Sequence, residues 1–363
     1  MTDVSSFVTD PSKAKVAIKF AISKHRPVML WGPPGIGKSD IVAQIGKETA
    51  REVIDVRLPL WEPTDIKGIP FYNSDSNSME WAPPAELPTD ENSNAIILLD
   101  EINSAAPSVQ AAAYQLVLNR RVGTYKLPDG VDIVAAGNRD SDRGVTYRMP
   151  APLANRFVHL EMKASFDSWL EWAMLNSIHT DVIGYLSHAK QDLYDFSIDS
   201  ASKAFATPRS WVFVSELISD SDEIDEETLL NLIAGSIGDG LAIKFMAHRK
   251  LTVNLPTAED VLTGKVKSVP EDTQISAMYS LTAALCYELL DMKSKMSENK
   301  HQKTINVFLR FLMNNFPTEM VVMATRTAIN TYNITIDPSK IECFDEYHEK
   351  YGRYIFAAMG VDA

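Results

Sequence analysis

A chain of 363 residues has room for two or three domains with sizeable cores. At 45% hydrophobic and 23% charged it has the make-up of a soluble globular protein, and a net charge of −13 weighs against a broad nucleic-acid footprint. Cys286 and Cys343 alone exclude a disulfide framework or a cysteine zinc site, and the seven scattered histidines offer no H-x-x-x-H pair, so a metal is expected to arrive with another ligand.

Met1 to Asp10 is polar and shows no secretory pattern, so a cytoplasmic protein is expected and the sequon Asn333-Ile334-Thr335 carries no meaning. The periodicity predicts a helix over 11–25 with Val16, Ala17, Phe20 and Ala21 on its apolar face. Pro27 to Leu30 then reads as a short buried strand. It runs into Trp31-Gly-Pro-Pro-Gly-Ile-Gly-Lys-Ser39, which fits G-x-x-x-x-G-K-[ST], and a periodic run with Ile41, Val42 and Ile45 follows. Strand, loop and helix in that order are what a phosphate cradle requires. Gly32, Pro33, Pro34, Gly35, Ile36, Gly37, Lys38 and Ser39 are its expected members. Backbone N–H groups and the helix N-terminus would face phosphate oxygens, with Lys38 on the β- and γ-phosphates and Ser39 on Mg²⁺. The plain alternative is a chance Gly/Pro turn.

Val53 to Leu58 reads as the next strand. Pro59 to Asn94 is rich in proline and cannot be one helix, and within it Ile69–Tyr72 and Met79–Ala82 flank a polar tip, which predicts a hairpin. Ala95-Ile-Ile-Leu-Leu-Asp-Glu101 is an unbroken apolar run, expected as a strand buried on both faces, with Asp100 emerging at its carboxyl end. Asp100 is expected to hold Mg²⁺ through water and Glu101 to polarise an attacking water. A helix over 107–121, a hairpin over 122–128 and a strand over 131–137 ending in Asn138 follow. Asn138 is either a turn residue or an amide that orients the attacking water. Val158 to Glu161 is a fifth strand, so strands and helices alternate as in an α/β parallel sheet covered on both sides.

The set GPPGIGKS (32–39), LLDEIN (98–103), AAGN (135–138), LANRF (153–157) and TPRS (207–210) resembles an AAA+ ATPase, and within that class the MoxR-like group with its NorQ and CbbQ relatives. The resemblance covers about residues 10–255. It implies a P-loop NTPase with a five-stranded parallel sheet over 1–163, an insertion at about 63–84, an α-helical lid over 164–255, and a helical C-terminal region over 256–363 whose role it does not supply. It further implies ATP and Mg²⁺ as cofactors, Asn138 as sensor 1, Arg156 as an arginine finger acting in trans on the neighbouring subunit's nucleotide, and Arg209 as sensor 2. Arg148 is a second candidate for the inter-subunit contact. Two positions depart from the MoxR pattern, Asn155 where Asp is common before the finger and Asn103-Ser104 where Asn-Arg is common after Glu-Ile.

Beyond 165 the pattern is helical, with Trp169 to Leu175 and Trp211 to Ile218 as two stretches. Asp220 to Glu227 reads as a solvated acidic loop and Thr252 to Thr273 as a linker. Helices are expected at about 274–295, 303–314 and 318–330. Ser276, Ser280, Thr282, Glu288 and Asp291 make the most apolar of these a buried helix rather than a membrane span. The expected activity is ATP hydrolysis by a homo-oligomeric ring, a hexamer, that remodels or matures a protein client, with a von Willebrand A domain protein as partner. One alternative is a DNA- or RNA-stimulated motor or loader, with Lys67, Arg120, Arg121 and Lys126 lining a basic pore. The other is a nucleotide-dependent assembly module without turnover, against which Glu101 argues.

Overall fold

A computed structural model describes residues 8–82, 84–139, 142, 147–196, 203–219 and 221–356; readings above that touch Met1 to Phe7, Pro83, Asp220 and 357–363 lie outside these. The chain divides into two compact units, Met1–Ser165 and Phe166–Ala363.

The first unit runs β1 (Val8–Thr9), α1 (Pro11–Ile22), β2 (Val28–Trp31), α2 (Lys38–Thr49), β3 (Val53–Arg57), α3 (Pro63–Lys67), β4 (Ile69–Asn73), β5 (Ser78–Ala82), β6 (Ile96–Asp100), α4 (Pro107–Asn119), β7 (Arg121–Val122), β8 (Tyr125–Lys126), β9 (Asp132–Gly137), α5 (Ala151–Ala154) and β10 (Val158–Met162). Six of these strands form one sheet in the order β1-β10-β2-β9-β6-β3, and every pairing in it is parallel. The sheet has six strands rather than five. Val8 and Thr9 pair with Glu161 and Met162, and a two-residue strand is too short to leave a period in the sequence.

β6 and β9 are buried along almost their whole length, as expected for strands covered on both faces. From β2 the chain goes to the far edge, returns through β6 and β9, and then crosses to β10 on the other side of β2. That reversal puts β2 at the place where ligands sit in open α/β sheets.

The buried face of α1 is not the expected one. Ala14, Ile18 and Ile22 are buried, while Val16 and Phe20 are both 68% exposed. The helix carries two apolar stripes at i, i+4 spacing, and its period alone does not choose between them. Lys15 and Lys19 both reach Glu48 on α2, at 2.6 and 2.8 Å, which is consistent with the observed rotation. The hairpin between 69 and 82 forms as β4 and β5, in antiparallel register from Ile69↔Ala82 to Asn73↔Ser78.

Among the described residues the second unit is helical: α6 (Phe166–Leu175), α7 (Thr180–His188), α8 (Pro208–Ser219), α9 (Glu226–Ile237), α10 (Asp239–Thr252), α11 (Ala258–Leu262), α12 (Ile275–Lys295), α13 (Glu298–Asn315), α14 (Thr318–Arg326) and α15 (Phe344–Phe356), with short 3₁₀ and π turns between them. One continuous apolar core runs from Trp169 to Tyr351. Tyr185, Trp211 and Phe245 meet at its centre with ring centroids 5.5–5.6 Å apart, and Trp211 Nε1 donates to Asp192 O at 2.9 Å. The stretch read as a linker holds α11, whose Val261 and Leu262 are buried in this core. The acidic run is not all loop. Asp225 caps α9 by accepting from Thr228 N at 2.9 Å, and Glu226 and Glu227 form its first turn, where the helix dipole favours anions.

α7 and α12 touch backbone to backbone at Gly184. A Cβ there would lie 1.9 Å from Ser280 Oγ and 2.6 Å from Ser280 N. Gly184→Ala is therefore expected to destabilise the protein by about 3 kcal/mol, the upper end of ordinary overpacking costs. The solvent-facing Gly235 of α9 has nothing within 4 Å of such a Cβ, so Gly235→Ala should stabilise by about 0.5–1 kcal/mol through helix propensity. Urea melts of the two variants beside the parent check both signs.

Candidate nucleotide-binding site

The loop after β2 turns back on glycines. Gly37 caps α2 with φ +89°, a left-handed conformation that a side chain would strain. Its own carbonyl accepts the Ile41 N–H at 3.0 Å, which leaves the earlier N–H groups of α2 directed at the loop. β2 is level with β9, Trp31 pairing with Gly137, and Gly32 N donates to Gly137 O at 3.3 Å. The phosphate-cradle loop and Asn138 therefore leave the sheet side by side. Lys38 Nζ donates to Gly32 O at 2.7 Å, Pro33 O at 3.0 Å and Asn138 Oδ1 at 2.9 Å. Ser39 Oγ donates to Asp100 Oδ2 at 2.7 Å. Lys38, Ser39, Asp100 and Asn138 thus converge at the carboxyl ends of three neighbouring strands.

Glu101 follows in the left-handed region, with φ +54°. For a non-glycine residue this costs roughly 1–2 kcal/mol and is typical of functional sites. Three hydrogen bonds hold the turn: Glu101 N to Asp100 Oδ1 at 2.9 Å, Ile102 N to Ala136 O at 3.0 Å, and Ser104 N to Glu101 O at 2.8 Å. The side chain of Glu101 is exposed beside Asp100.

Asn103 stands in the sequence as the last residue of LLDEIN with no role read for it, but it is the buried brace of the site. It is 1% exposed. Its Nδ2 donates to Asn138 O at 2.7 Å and its Oδ1 accepts Asn138 N at 3.3 Å. Gly137 leaves room for it, since a Cβ there would lie 2.5 Å from Asn103 Oδ1. An asparagine that satisfies both backbone groups of Asn138 fixes where that amide points. Arg139, also missed, pairs with Asp142 at 3.0 Å and Glu161 at 2.9 Å, and the hydrogen bonds to these carboxylates hold its protons more tightly than usual. Its only sequence signal was its place directly after Asn138.

Asp55 on β3 has its pKa pushed up, first by burial and then by the charge of Asp100. Arg57, in register with Asp100, offsets this from 3.7 Å. Asp55 and Asp100 are thus close enough to interact electrostatically, while the Lys38 ammonium is held by Gly32 O, Pro33 O and Asn138 Oδ1. A seryl oxygen and a carboxylate 2.7 Å apart form an all-oxygen donor set suited to Mg²⁺.

Arg156 follows α5, in a turn pinned by the buried Leu153 and Phe157. Its side chain is exposed and makes no ion pair among the described residues; Arg148 is exposed as well. Arg209 belongs to the other unit. It is exposed in the first turn of α8, which Thr207 and Ser210 cap reciprocally at 2.8 and 3.1 Å. Arg120 is not available to a pore. Its guanidinium donates to the carbonyls of Pro128 at 2.6 Å and Val131 at 2.7 Å.

Residues 27–157 match the family model described as AAA domain (dynein-related subfamily). The match spans the loop, Asp100-Glu101, Asn138 and Arg156, and it supports an AAA+ core with nucleotide binding and hydrolysis in general. With the parallel sheet it makes this unit a P-loop NTPase fold. Among curated proteins, midasin of Giardia intestinalis is 29% identical over 196 residues, 50% of this chain but 4% of that protein's length. Among solved structures, a RuvB variant of Thermotoga maritima is 13% identical with a TM-score of 0.39, covering 98% of this chain and 96% of that one. NtrX from Brucella abortus is 14% identical with a TM-score of 0.38, covering 77% and 68%.

Removing the brace should separate structure from chemistry. Asn103→Ala is expected to cost about 1–3 kcal/mol, because it leaves buried backbone groups of Asn138 unpaired, and to lower turnover more than nucleotide affinity. Thermal melts and a kcat-against-Kd comparison check this. Asp55, whose folded pKa is raised, opposes folding while it is ionised, and that cost fades as pH falls through its folded value and is gone below its unfolded one. Asp55→Asn should therefore melt higher than the parent at neutral pH, with the gap closing in acid.

Proposed function

We propose that the chain is an ATP-hydrolysing AAA+ machine that works as a homo-oligomeric ring, a hexamer of the MoxR-like kind, and remodels a protein client, with a von Willebrand A domain protein as partner. The observation that carries the ATPase reading is the convergence of Lys38, Ser39, Asp100 and Asn138 within hydrogen-bonding distance at the carboxyl ends of β2, β6 and β9. Gly32 to Ser39 would hold the phosphates, and Ser39 with Asp100 would hold Mg²⁺, the latter through water. The cation would supply charge neutralisation on the phosphate oxygens.

Around them, Lys38 offers its ammonium to the β- and γ-phosphates, in competition with Gly32 O and Asn138 Oδ1. Glu101 stands next in the chain to Asp100 as the acceptor for a proton from water, and Asn138, braced by Asn103, orients that water. Arg156 has an exposed guanidinium free of ion pairs among the described residues, as a finger acting on a neighbour requires. Arg209 is assigned the sensor 2 role on the helical lid.

A protein client is favoured over nucleic acid by the inserted hairpin. Ile69 and Met79 are 69% and 68% exposed, with Phe71 and Tyr72 beside them, so the hairpin is apolar rather than basic. With Arg120 committed to carbonyls, the basic set left to a nucleic-acid pore shrinks.

Glu101→Gln tests the reading. It is expected to bind ATP with Mg²⁺ as the parent does and to hydrolyse it about 10²–10⁴-fold more slowly, the range for losing a general base. Lys38→Ala should lose binding itself. Hydrolysis at the parent rate by Glu101→Gln, read as phosphate release with and without duplex DNA or casein, would sink the assignment.

A further inference from the structure

The site described above is joined to the Arg156 turn of the same chain by two hydrogen bonds through one histidine. Trp31, the residue before Gly32, donates its indole Nε1–H to His159 Nδ1 at 2.9 Å. An indole N–H can only donate, so Nδ1 must accept and the ring proton sits on Nε2. Nε2 then donates to Ala154 O at 2.8 Å. Ala154 O also accepts the Phe157 N–H at 3.2 Å. It is therefore the carbonyl that closes the turn Ala154-Asn155-Arg156-Phe157, from which the Arg156 side chain projects.

The sheet register makes the link short. β10 pairs with β2 as His159↔Met29 and Glu161↔Trp31. His159 and Glu161 are two apart on one strand, so they share a face. His159 takes the Trp31 indole, and Glu161 takes the Arg139 guanidinium at 2.9 Å, one residue past Asn138. The two strand ends that flank the nucleotide loop are thus both tied to β10, and β10 is tied to the turn carrying Arg156. The planes of the Trp31 and His159 rings are 9° apart, with their centroids 6.0 Å from one another.

We infer that Trp31, His159 and Ala154 form a positioning relay that couples the state of a subunit's own nucleotide loop to the placement of Arg156 in its neighbour's site. The inference rests on the finger role proposed above. Lys38 holds Gly32 O at 2.7 Å. Phosphates competing for that ammonium change the restraint on Gly32, and Trp31 is covalently next to it. A shift of the indole is passed to His159 and to the Ala154 carbonyl. Trp31 and His159 touch no reacting atom in this scheme; they act through Arg156.

Mixed assemblies test it. Finger-donor subunits carry Glu101→Gln, so their own sites are silent, and site-donor subunits carry Arg156→Ala. Turnover then comes only from a site-donor bordered by a donor's finger. His159→Ala or Trp31→Phe in the finger-donor is expected to lower the mixed rate by about tenfold or more, since a misplacement of ~1 Å can cost up to 10²-fold. His159→Gln, which keeps one donor and one acceptor, should recover most of the rate. The same substitutions in the site-donor should change the mixed rate by less than about twofold, and affinity for a fluorescent ATP analogue should hold in every case. Melting temperatures confirm that the variants are folded. An equal loss from either subunit, or no loss from the finger-donor, overturns the relay. If unmodified finger-donors fail to restore turnover in mixtures shown to co-assemble, the trans finger is wrong and the relay falls with it.

Discussion

The level pairing of parallel strands is the constraint on which the rest of the first unit depends. β2 lies against β9 with Trp31 beside Gly137, and β9 lies against β6 with Ala135 beside Leu99. Because parallel ladders repeat evenly, three strand ends reach the same edge together. The residues at or just beyond that edge are Gly32, Asp100 and Asn138. A slip of one residue in either pairing would turn an apolar side chain into the site and a polar one into the core. Buried runs such as Ile96–Leu99 and Ile133–Ala136 forbid that slip, so the hydrophobic effect that folds the sheet also sets the spacing of Lys38, Ser39, Asp100 and Asn138.

The charge layout follows from the same edge. The Lys38 ammonium belongs to the first residue of α2. Asp100 and Glu101 stand at the end of β6, with Asp55 close enough to Asp100 that its own ionisation is disfavoured. A polyanion alone would be repelled by the second group, and a cation alone by the first. A phosphate chain bridged to a divalent cation satisfies both, and for that reason Ser39 and Asp100 are best understood as a pair.

The parts of this arrangement that were legible in the sequence are those written in contiguous residues. Gly32 to Ser39 and Ala95 to Glu101 carry their structure locally, as a turn on glycines and a run too apolar to be anything but a buried strand. The β4–β5 hairpin was legible for a similar reason, two short apolar runs around a polar tip. What was not legible depends on partners far along the chain. α1 offers two stripes with the same period, and both of its Lys–Glu48 ties lie on another helix. α11 is five residues long, and its burial comes from helices on either side rather than from its own pattern. Asn103 is informative only once Asn138 is beside it, 35 residues later in the chain. Arg120 reads as a free cation until the carbonyls of 128–131 fold around it.

β10 shows why such long-range partners matter to function as well as to folding. It contributes no residue to the phosphate cradle. Yet its His159 and Glu161 receive, on one face, the side chains of Trp31 at the end of β2 and of Arg139 two residues past β9, and its start is continuous with the turn that carries Arg156. A strand in that position converts a local event at the loop into a displacement at the surface with no hinge, because the hydrogen bonds on either side of His159 are short and its tautomer is dictated by Trp31. Under the finger role proposed for Arg156, an arginine placed this way would answer to the nucleotide of its own subunit while acting on another's. That is the minimum physical requirement for sites around a ring to work in sequence rather than independently.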